Sequence, residues 1–260
     1  MAEGYFNDGT LNIEIGEHVF ATPSGRRRIV TLDPHDQAAA VHDSGGGVLE
    51  LDVTAQRVRD NLGDAERYAY EILRALALSD PGDLGFEDNR GHRHVFGDSV
   101  CVGGRAEVEA FRFVDMSLDF ESPEKSSEPA WGAVPATPGI YAGTATLQDY
   151  AAGGISLGIG GRMRIEAIRT TLVREIPRAR GARADVPPRG GLIKFTVEAA
   201  LVAGTQNLAR YLEDLERSIN GTVDLVANGN TYAGCILEAM RPRHTDRKET
   251  MVEFEFVQEI

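Results

Sequence analysis

The pair His92 and His94 is the arrangement in this chain that comes closest to metal chemistry. Strand alternation puts both imidazoles on one face, and imidazole nitrogens are ligands for transition metals. A metal site needs further ligands, and no carboxylate or third ligand stands at a matching spacing, while the corresponding NGNTYAG segment of the second half contains no histidine. We therefore predict no metal site and assign no role to this pair.

Recognisable catalytic motifs are absent from the sequence. It contains neither GxSxG nor HExxH, and the adjacent acids Glu87 and Asp88 fall in a turn-like segment where solvated carboxylates are expected. The thiols of Cys101 and Cys235 lie on apolar, strand-like stretches, which predicts buried free cysteines rather than a metal or disulfide framework. We predict that the protein is not an enzyme and holds no cofactor.

Carboxylates alternate with apolar residues in two strand-like segments, residues 110–121 and 250–259. Asp119 and Glu121 fall on one face of the first segment, and Glu253 and Glu255 fall on one face of the second. The pattern predicts two acidic, solvent-facing sheet surfaces. Such surfaces either serve solubility or, if strands from many subunits surround a pore, make that pore negative.

Two segments rich in Gly, Pro, Arg and Asp interrupt the strand pattern, at residues 23–47 and 177–191. They are long for connections inside a compact domain, so we predict arms that order on contact with a neighbouring subunit; a surface loop is the alternative. The arginines that would pair with acidic neighbours are Arg26, Arg27, Arg28, Arg178, Arg180 and Arg183. Codon bias explains the arginine preference equally well, since all but three of the 27 basic residues are arginine.

The elements that carry these residues occur twice. A strand, a helix, a turn region and a closing strand are predicted at residues 48–53, 65–78, 83–102 and 110–121, and again at 192–197, 206–219, 221–237 and 250–259. Opening strands at 11–19 and 163–172 precede them. In this alignment Val53 matches Val197, and Phe120 matches Phe256. A period this long indicates domain duplication.

Length, composition and charge indicate the domain division and the kinds of partner that are disfavoured. The 260 residues divide into a first unit at 1–121, a Pro/Ser-rich linker at 122–139 containing Trp131, and a second unit at 140–260. A formal net charge of −13 disfavours a general nucleic-acid-binding surface. No apolar run is long enough to span a bilayer and no secretory leader is recognisable, so a soluble protein without a membrane span is expected.

Three stretches carry a resemblance to known proteins: YFNDGTLNIEI near the N-terminus, GTVDLVANGNTYAGCILEAMRP after the second helix, and the final VEFEFVQ. They resemble the tail-tube-fold proteins of tailed bacteriophages and archaeal tailed viruses, a family that includes tail tube, distal tail and baseplate hub components. The resemblance implies a mainly-β (α+β) fold of two tandem tail-tube-like β-sandwich domains, each flanked by one α-helix.

The resemblance also implies a function. The protein would be a structural virion protein whose copies form a ring around an acidic channel, through which DNA passes without specific binding. A trimer acting as a pseudo-hexamer, or a hexamer, would stack on other tail or baseplate proteins in the virion tail, after assembly from the host cytoplasm. The alternative is a soluble two-domain ligand-binding protein or enzyme with an inter-domain cleft.

Overall fold

The structure is a computed structural model that describes residues 3–26, 29–32, 40–43, 48–87, 93–109, 112–123, 148–169, 191–202, 215–219, 221–245 and 249–260. The first half contains β1 (Glu3–Asn7), β2 (Asn12–Arg26), β3 (Ile29–Leu32), β4 (Ala40–Asp43), β5 (Val48–Val58), α1 (Leu62–Leu78), β6 (Gly82–Glu87), β7 (Arg93–Glu109) and β8 (Phe113–Pro123). The second half contains β9 (Asp149–Ala152), β10 (Ile155–Arg169), β11 (Gly191–Val202), β12 (Thr222–Ala227), β13 (Asn230–Thr245) and β14 (Glu249–Glu259), and residues 215–218 are helical. The predicted mainly-β fold is confirmed.

Strand pairing in each half closes a ring of six antiparallel strands. In the first half the ring runs β1, β2, β5, β8, β7, β6 and back to β1. In the second it runs β9, β10, β11, β14, β13, β12 and back to β9. The expectation of two tandem sandwiches is therefore not met, because each set of strands closes on itself and β7 pairs with β10 to join both sets in one sheet.

The two rings share their irregularities as well as their connectivity. Register shifts occur at four matched places: in β1–β2 and β9–β10, in β2–β5 and β10–β11, in β6–β7 and β12–β13, and in β7–β8 and β13–β14. Positive φ angles also match, at Gly16 and Gly158 and at Asp98 and Gly234. Bulges are specific features of a chain's path, so their coincidence supports the predicted duplication.

The register bears out the predicted alignment of the halves. Val53 pairs with Leu118 in the first half, as Val197 pairs with Phe254 in the second. Two residues further along these strands, the aligned residues Phe120 and Phe256 occupy equivalent positions on β8 and β14. All eight side chains, including Leu51 and Phe195, the partners of Phe120 and Phe256, are buried in the core.

Helix α1 lies between the first ring and the second half. It begins at the cap residue Asn61, whose side chain accepts a hydrogen bond from the Asp64 amide, and it ends at Leu78. Tyr68 faces the first ring, where its hydroxyl donates to the Ile15 carbonyl at 3.2 Å. Tyr70 lies toward the second half and stacks on Phe195 with 5.8 Å between ring centroids. A helix with two buried sides holds the halves together.

Several segments predicted as loops contain strands. The predicted turn regions at 83–102 and 221–237 are the β6–β7 and β12–β13 hairpins. The first predicted arm, at 23–47, includes the end of β2 and the two-stranded sheet formed by β3 and β4. Ser122 and Pro123 of the predicted linker belong to β8, whereas Trp131 and residues 177–190 lie outside the described residues.

Candidate functional site

Eight long strands form a surface that runs through both halves. Their order is β2, β5, β8, β7, β10, β11, β14 and β13, and every neighbouring pair is antiparallel. One face packs into the core, where a Cβ at Gly104 would meet Leu118 of β8 and Leu73 of α1. The opposite face is polar over much of its area. We call this opposite face the shared sheet face.

The shared sheet face is concave around the β7–β10 junction. It surrounds an open cavity of about 790 Å³ above β5, β8, β7 and β10. The polar lining residues that matter below are Arg105, Glu107, Asp115, Asp119 and Glu166.

Like charges stand opposite each other on the first-half part of this face. Asp52 on β5 is directly opposite Asp119 on β8, and Glu50 is opposite Glu121. Such cross-strand pairs repel each other and cost stability. Burial, with a smaller contribution from Asp52, raises the pKa of Asp119. The predicted positions of Asp119 and Glu121 on an exposed face are found in the structure.

The second-half carboxylates were expected to be equally exposed, and that expectation is wrong for Glu253 and Glu255. Both are buried, 3% and 6% exposed. Arg241 binds Glu255 at 2.6 Å and Lys194 binds it at 2.9 Å. The hydrogen bond from Lys194 is the main cause of a lowered pKa for Glu255, and the nearby Arg241 adds to it. Among the described residues, the carboxylates of Glu253 and Glu255 on β14 are therefore neutralised, unlike the opposed aspartates of β5 and β8.

The β7–β10 junction, which we call the internal seam, pairs residues 103–107 with residues 164–168. Glu107 is its charged centre: it forms ion pairs with Arg105, Arg162 and Arg164, the last at 2.8 Å. The two strands hydrogen-bond to each other along this seam, and the open cavity described above lies over it.

The two end strands of the shared sheet face, β2 and β13, match the two strands of the internal seam. Within the described part of the chain, β2 pairs with β1 and β5, and β13 with β12 and β14. β10 is the counterpart of β2, and β7 is the counterpart of β13, because their bulges and registers agree. Residues 22–26 of β2 and 239–243 of β13, which correspond to the seam segments, pair on one side only among the described residues, and we call these two segments the free edges of the sheet.

The matched registers assign a counterpart to each seam residue. Arg105 corresponds to Arg241, since they pair with the equivalent residues Ser117 and Glu253. Glu166 corresponds to Ser24, since their partners Lys194 and Glu50 are equivalent on β11 and β5. The seam pair Ala106 and Ile165 corresponds to Pro242 and Pro23. Proline lacks a backbone donor and is common on edge strands, which weakens indiscriminate edge pairing.

The other predicted site residues are not brought together. Arg27, Arg28, Arg178, Arg180, Arg183 and His92 lie outside the described residues, and Arg26 ends β2. His94 is exposed and stacks on Phe86. Cys101 and Cys235 are free, buried thiols, and burial is the main cause that raises the pKa of each. Among the described residues no three His, Cys, Asp or Glu side chains group as metal ligands, and no helix has the length and apolar character needed to cross a membrane.

Sequence reasoning missed a buried polar cluster between α1 and the second half. Glu66 accepts hydrogen bonds from Asn228 at 2.8 Å and from the Tyr150 hydroxyl at 3.2 Å. Nearby, Asn230 donates to the Gly63 carbonyl at 2.8 Å, and Tyr70 donates to Gln258 at 3.1 Å. Glu66 and Tyr70 are four residues apart on the helix, next to the apolar stripe of Tyr68, Ile72 and Leu76. That spacing is the sequence signal for a second buried helix face.

Comparison with known proteins adds no assignment: no protein-family model matches the chain, and no curated protein matches it.

Proposed function

We propose that the chain is a structural protein of a viral tail, in which copies form a ring around a channel for DNA. Each half would be one tail-tube-like unit that contributes four long strands to the channel wall. The helix side of the sheet would face outward, and the shared sheet face would face the channel. The resemblance noted in the sequence motivates the proposal, and the described residues support it in the following ways.

The match between the internal seam and the free edges carries the proposal. Inside the chain, β7 of one unit pairs with β10 of the next. The equivalent strands, β13 and β2, stand at opposite ends of the same sheet. Joining β13 of one copy to β2 of another would repeat the seam head to tail. A repeated heterologous contact of this kind closes into a ring when the rotation between copies divides a full turn, and otherwise it builds an open filament. Closure would also cover both free edges.

The dimensions of such a ring suit the proposed passage. Three chains with eight long strands each give twenty-four strands, which at a spacing of about 4.8 Å have a circumference of at least about 115 Å. The diameter between opposite backbones is then at least about 37 Å, and strand tilt widens it. This leaves room for a DNA duplex. Six chains would form a wider ring.

The charges on the shared sheet face suit DNA that moves without binding. Asp52, Asp119 and Glu121 of the first half place their carboxylates on this face, and none of the three forms an ion pair within the described residues. In the second half Lys194 and Arg241 are held by carboxylates. A negative wall repels phosphates and supplies no steady cationic contact. Other tail or baseplate proteins would bind the ring above and below it, in the virion tail after assembly in the host cytoplasm.

Cysteine pairs at matched positions test this arrangement. The variant Ser24→Cys with Arg241→Cys should form disulfides between chains, and a ladder of dimers and trimers should appear on a non-reducing gel. Arg105→Cys with Glu166→Cys, at the equivalent positions of the internal seam, is the matched control and should cross-link within one chain. Ser24→Cys with Ala239→Cys, shifted by two residues, tests the register and should cross-link poorly.

Electron microscopy and light scattering of the wild-type protein provide the independent measurement. Rings with a central hole and a mass of three or six chains are expected. A monomer at all salt and protein concentrations, with no cross-linking between Ser24→Cys and Arg241→Cys while the internal control cross-links, would refute the proposal.

A further inference from the structure

Glu66 is a carboxyl group enclosed at the contact between the two halves. The residue is 1% exposed and comes from α1 of the first half, while both side chains that hydrogen-bond to it, Tyr150 on β9 and Asn228 at the β12–β13 turn, belong to the second half. Both of those bonds go to Oε1. Within the described part of the chain, Oε2 is buried without a hydrogen-bond partner.

The surroundings of Glu66 offer little compensation for a negative charge. The titratable groups around it are the phenols of Tyr150 on β9, Tyr232 on β13 and Tyr70 on α1. The neighbouring cation on α1, Arg67, forms its ion pair with Glu71 at 2.5 Å and lies over the Tyr70 ring. A buried carboxylate without a cation carries a large desolvation cost, and a protonated carboxyl avoids it.

We propose that Glu66 is a proton-operated latch, which holds α1 against the second half while its carboxyl is protonated and loosens that contact when the carboxyl ionises. This inference does not depend on the proposed function, because it concerns the contact between halves of one chain. The contacts that would weaken together are those at the same interface, Tyr70 with Gln258 and Asn230 with the Gly63 carbonyl.

The direction of the pH effect follows from burial. Burial raises the pKa of Glu66 from 4.5 to about 7, although the hydrogen bonds from Asn228 and Tyr150 lower it somewhat. A raised pKa means that the docked state is favoured at low pH and that this advantage is lost as the pH rises toward 7. The latch therefore operates between pH 4.5 and about pH 7.

The size of the effect follows from the equilibrium between the docked state and an open state in which Glu66 regains its ordinary pKa. The equilibrium constant for opening is proportional to (1 + 10^(pH − 4.5))/(1 + 10^(pH − 7)). Between pH 5.5 and pH 8.5 this factor rises about thirtyfold. Amide hydrogen exchange of residues 62–70 and 228–232, corrected for the intrinsic pH dependence of exchange, measures it directly.

Three variants of the full chain test the latch. Glu66→Gln keeps the shape but cannot ionise, so the thirtyfold loss of protection should disappear. Glu216→Gln makes the same change at an exposed position and should keep the wild-type dependence. Tyr150→Phe removes a hydrogen bond that lowers the pKa of Glu66, so the midpoint of the transition should move to higher pH. An unchanged pH dependence in Glu66→Gln, or an unmoved midpoint in Tyr150→Phe, would overturn the inference.

Discussion

The hydroxyl of Tyr232 is a buried group whose removal should stabilise the protein. Tyr232 is 1% exposed, and its hydroxyl has no hydrogen-bond partner among the described residues. Burial, with a smaller contribution from Glu66, raises the pKa of Tyr232 well above its usual value, so the hydroxyl is neutral at every pH used below. An unsatisfied buried polar group costs about 1–3 kcal/mol. The ring would keep its edge contact with Tyr70 and its contact with Phe195.

We therefore expect Tyr232→Phe to raise the free energy of unfolding by about 1 kcal/mol, at the low end of that range because the cavity left by the oxygen loses packing. Tyr70→Phe is the matched control, because the Tyr70 hydroxyl donates to Gln258 at 3.1 Å and its loss should cost about 1 kcal/mol. Urea unfolding at pH 6 measures both. Equal destabilisation by the two variants would show that the Tyr232 hydroxyl is satisfied in solution and that this reasoning is wrong.

Three further predictions concern local stability. Gly85→Ala should destabilise the protein by about 2 kcal/mol or more, because a Cβ there overlaps the buried Tyr5 ring. Gly103→Ala should change stability by less than about 0.5 kcal/mol, because its Cβ would meet Asp119 at 3.4 Å and the Ala167 carbonyl at 3.9 Å, both ordinary contact distances; thermal unfolding distinguishes the two variants. Glu255→Gln should lower the melting temperature at pH 7 and should have less effect as the pH falls. The lowered pKa of Glu255 means that its ionised carboxylate stabilises the fold, and this stability is lost when the carboxylate is protonated; a constant difference in melting temperature across pH would contradict this. Asn61→Ala should cost about 1 kcal/mol through loss of the helix cap, and Asn61→Asp should restore most of it, as measured by urea unfolding.

The repeated elements could be predicted from the sequence because each follows from a local period. Alternation in residues 250–259 predicted the strand β14, and the stripe Tyr68, Ile72 and Leu76 predicted α1. The same local rule predicted that Phe254 and Phe256 point inward, and both are fully buried. Strand periods and helix stripes require no knowledge of distant residues.

Features that depend on distant partners were not predictable in this way. Alternation places Glu253 and Glu255 on one side of β14, but it cannot say that Arg241 and Lys194, from two other strands, cover that side. The closure of each ring depends on the short pairing of β1 with β6 and of β9 with β12. The burial of Glu66 depends on Tyr150 and Asn228, each more than seventy residues away in the chain.

The internal seam changes how the proposed assembly would depend on protein concentration. Both strands of this seam belong to one polypeptide, so their encounter is intramolecular and proceeds at the high effective concentration that a covalent connection provides. Only the contacts between β13 and β2 of different copies would be bimolecular. With Pro23 and Pro242 at matched positions and no counterpart of Glu107 in residues 239–243 of β13, these contacts would be weaker than the internal one. A threefold assembly would then alternate strong and weak joints, and dilution or mechanical load would separate whole chains while leaving each pair of fused units intact.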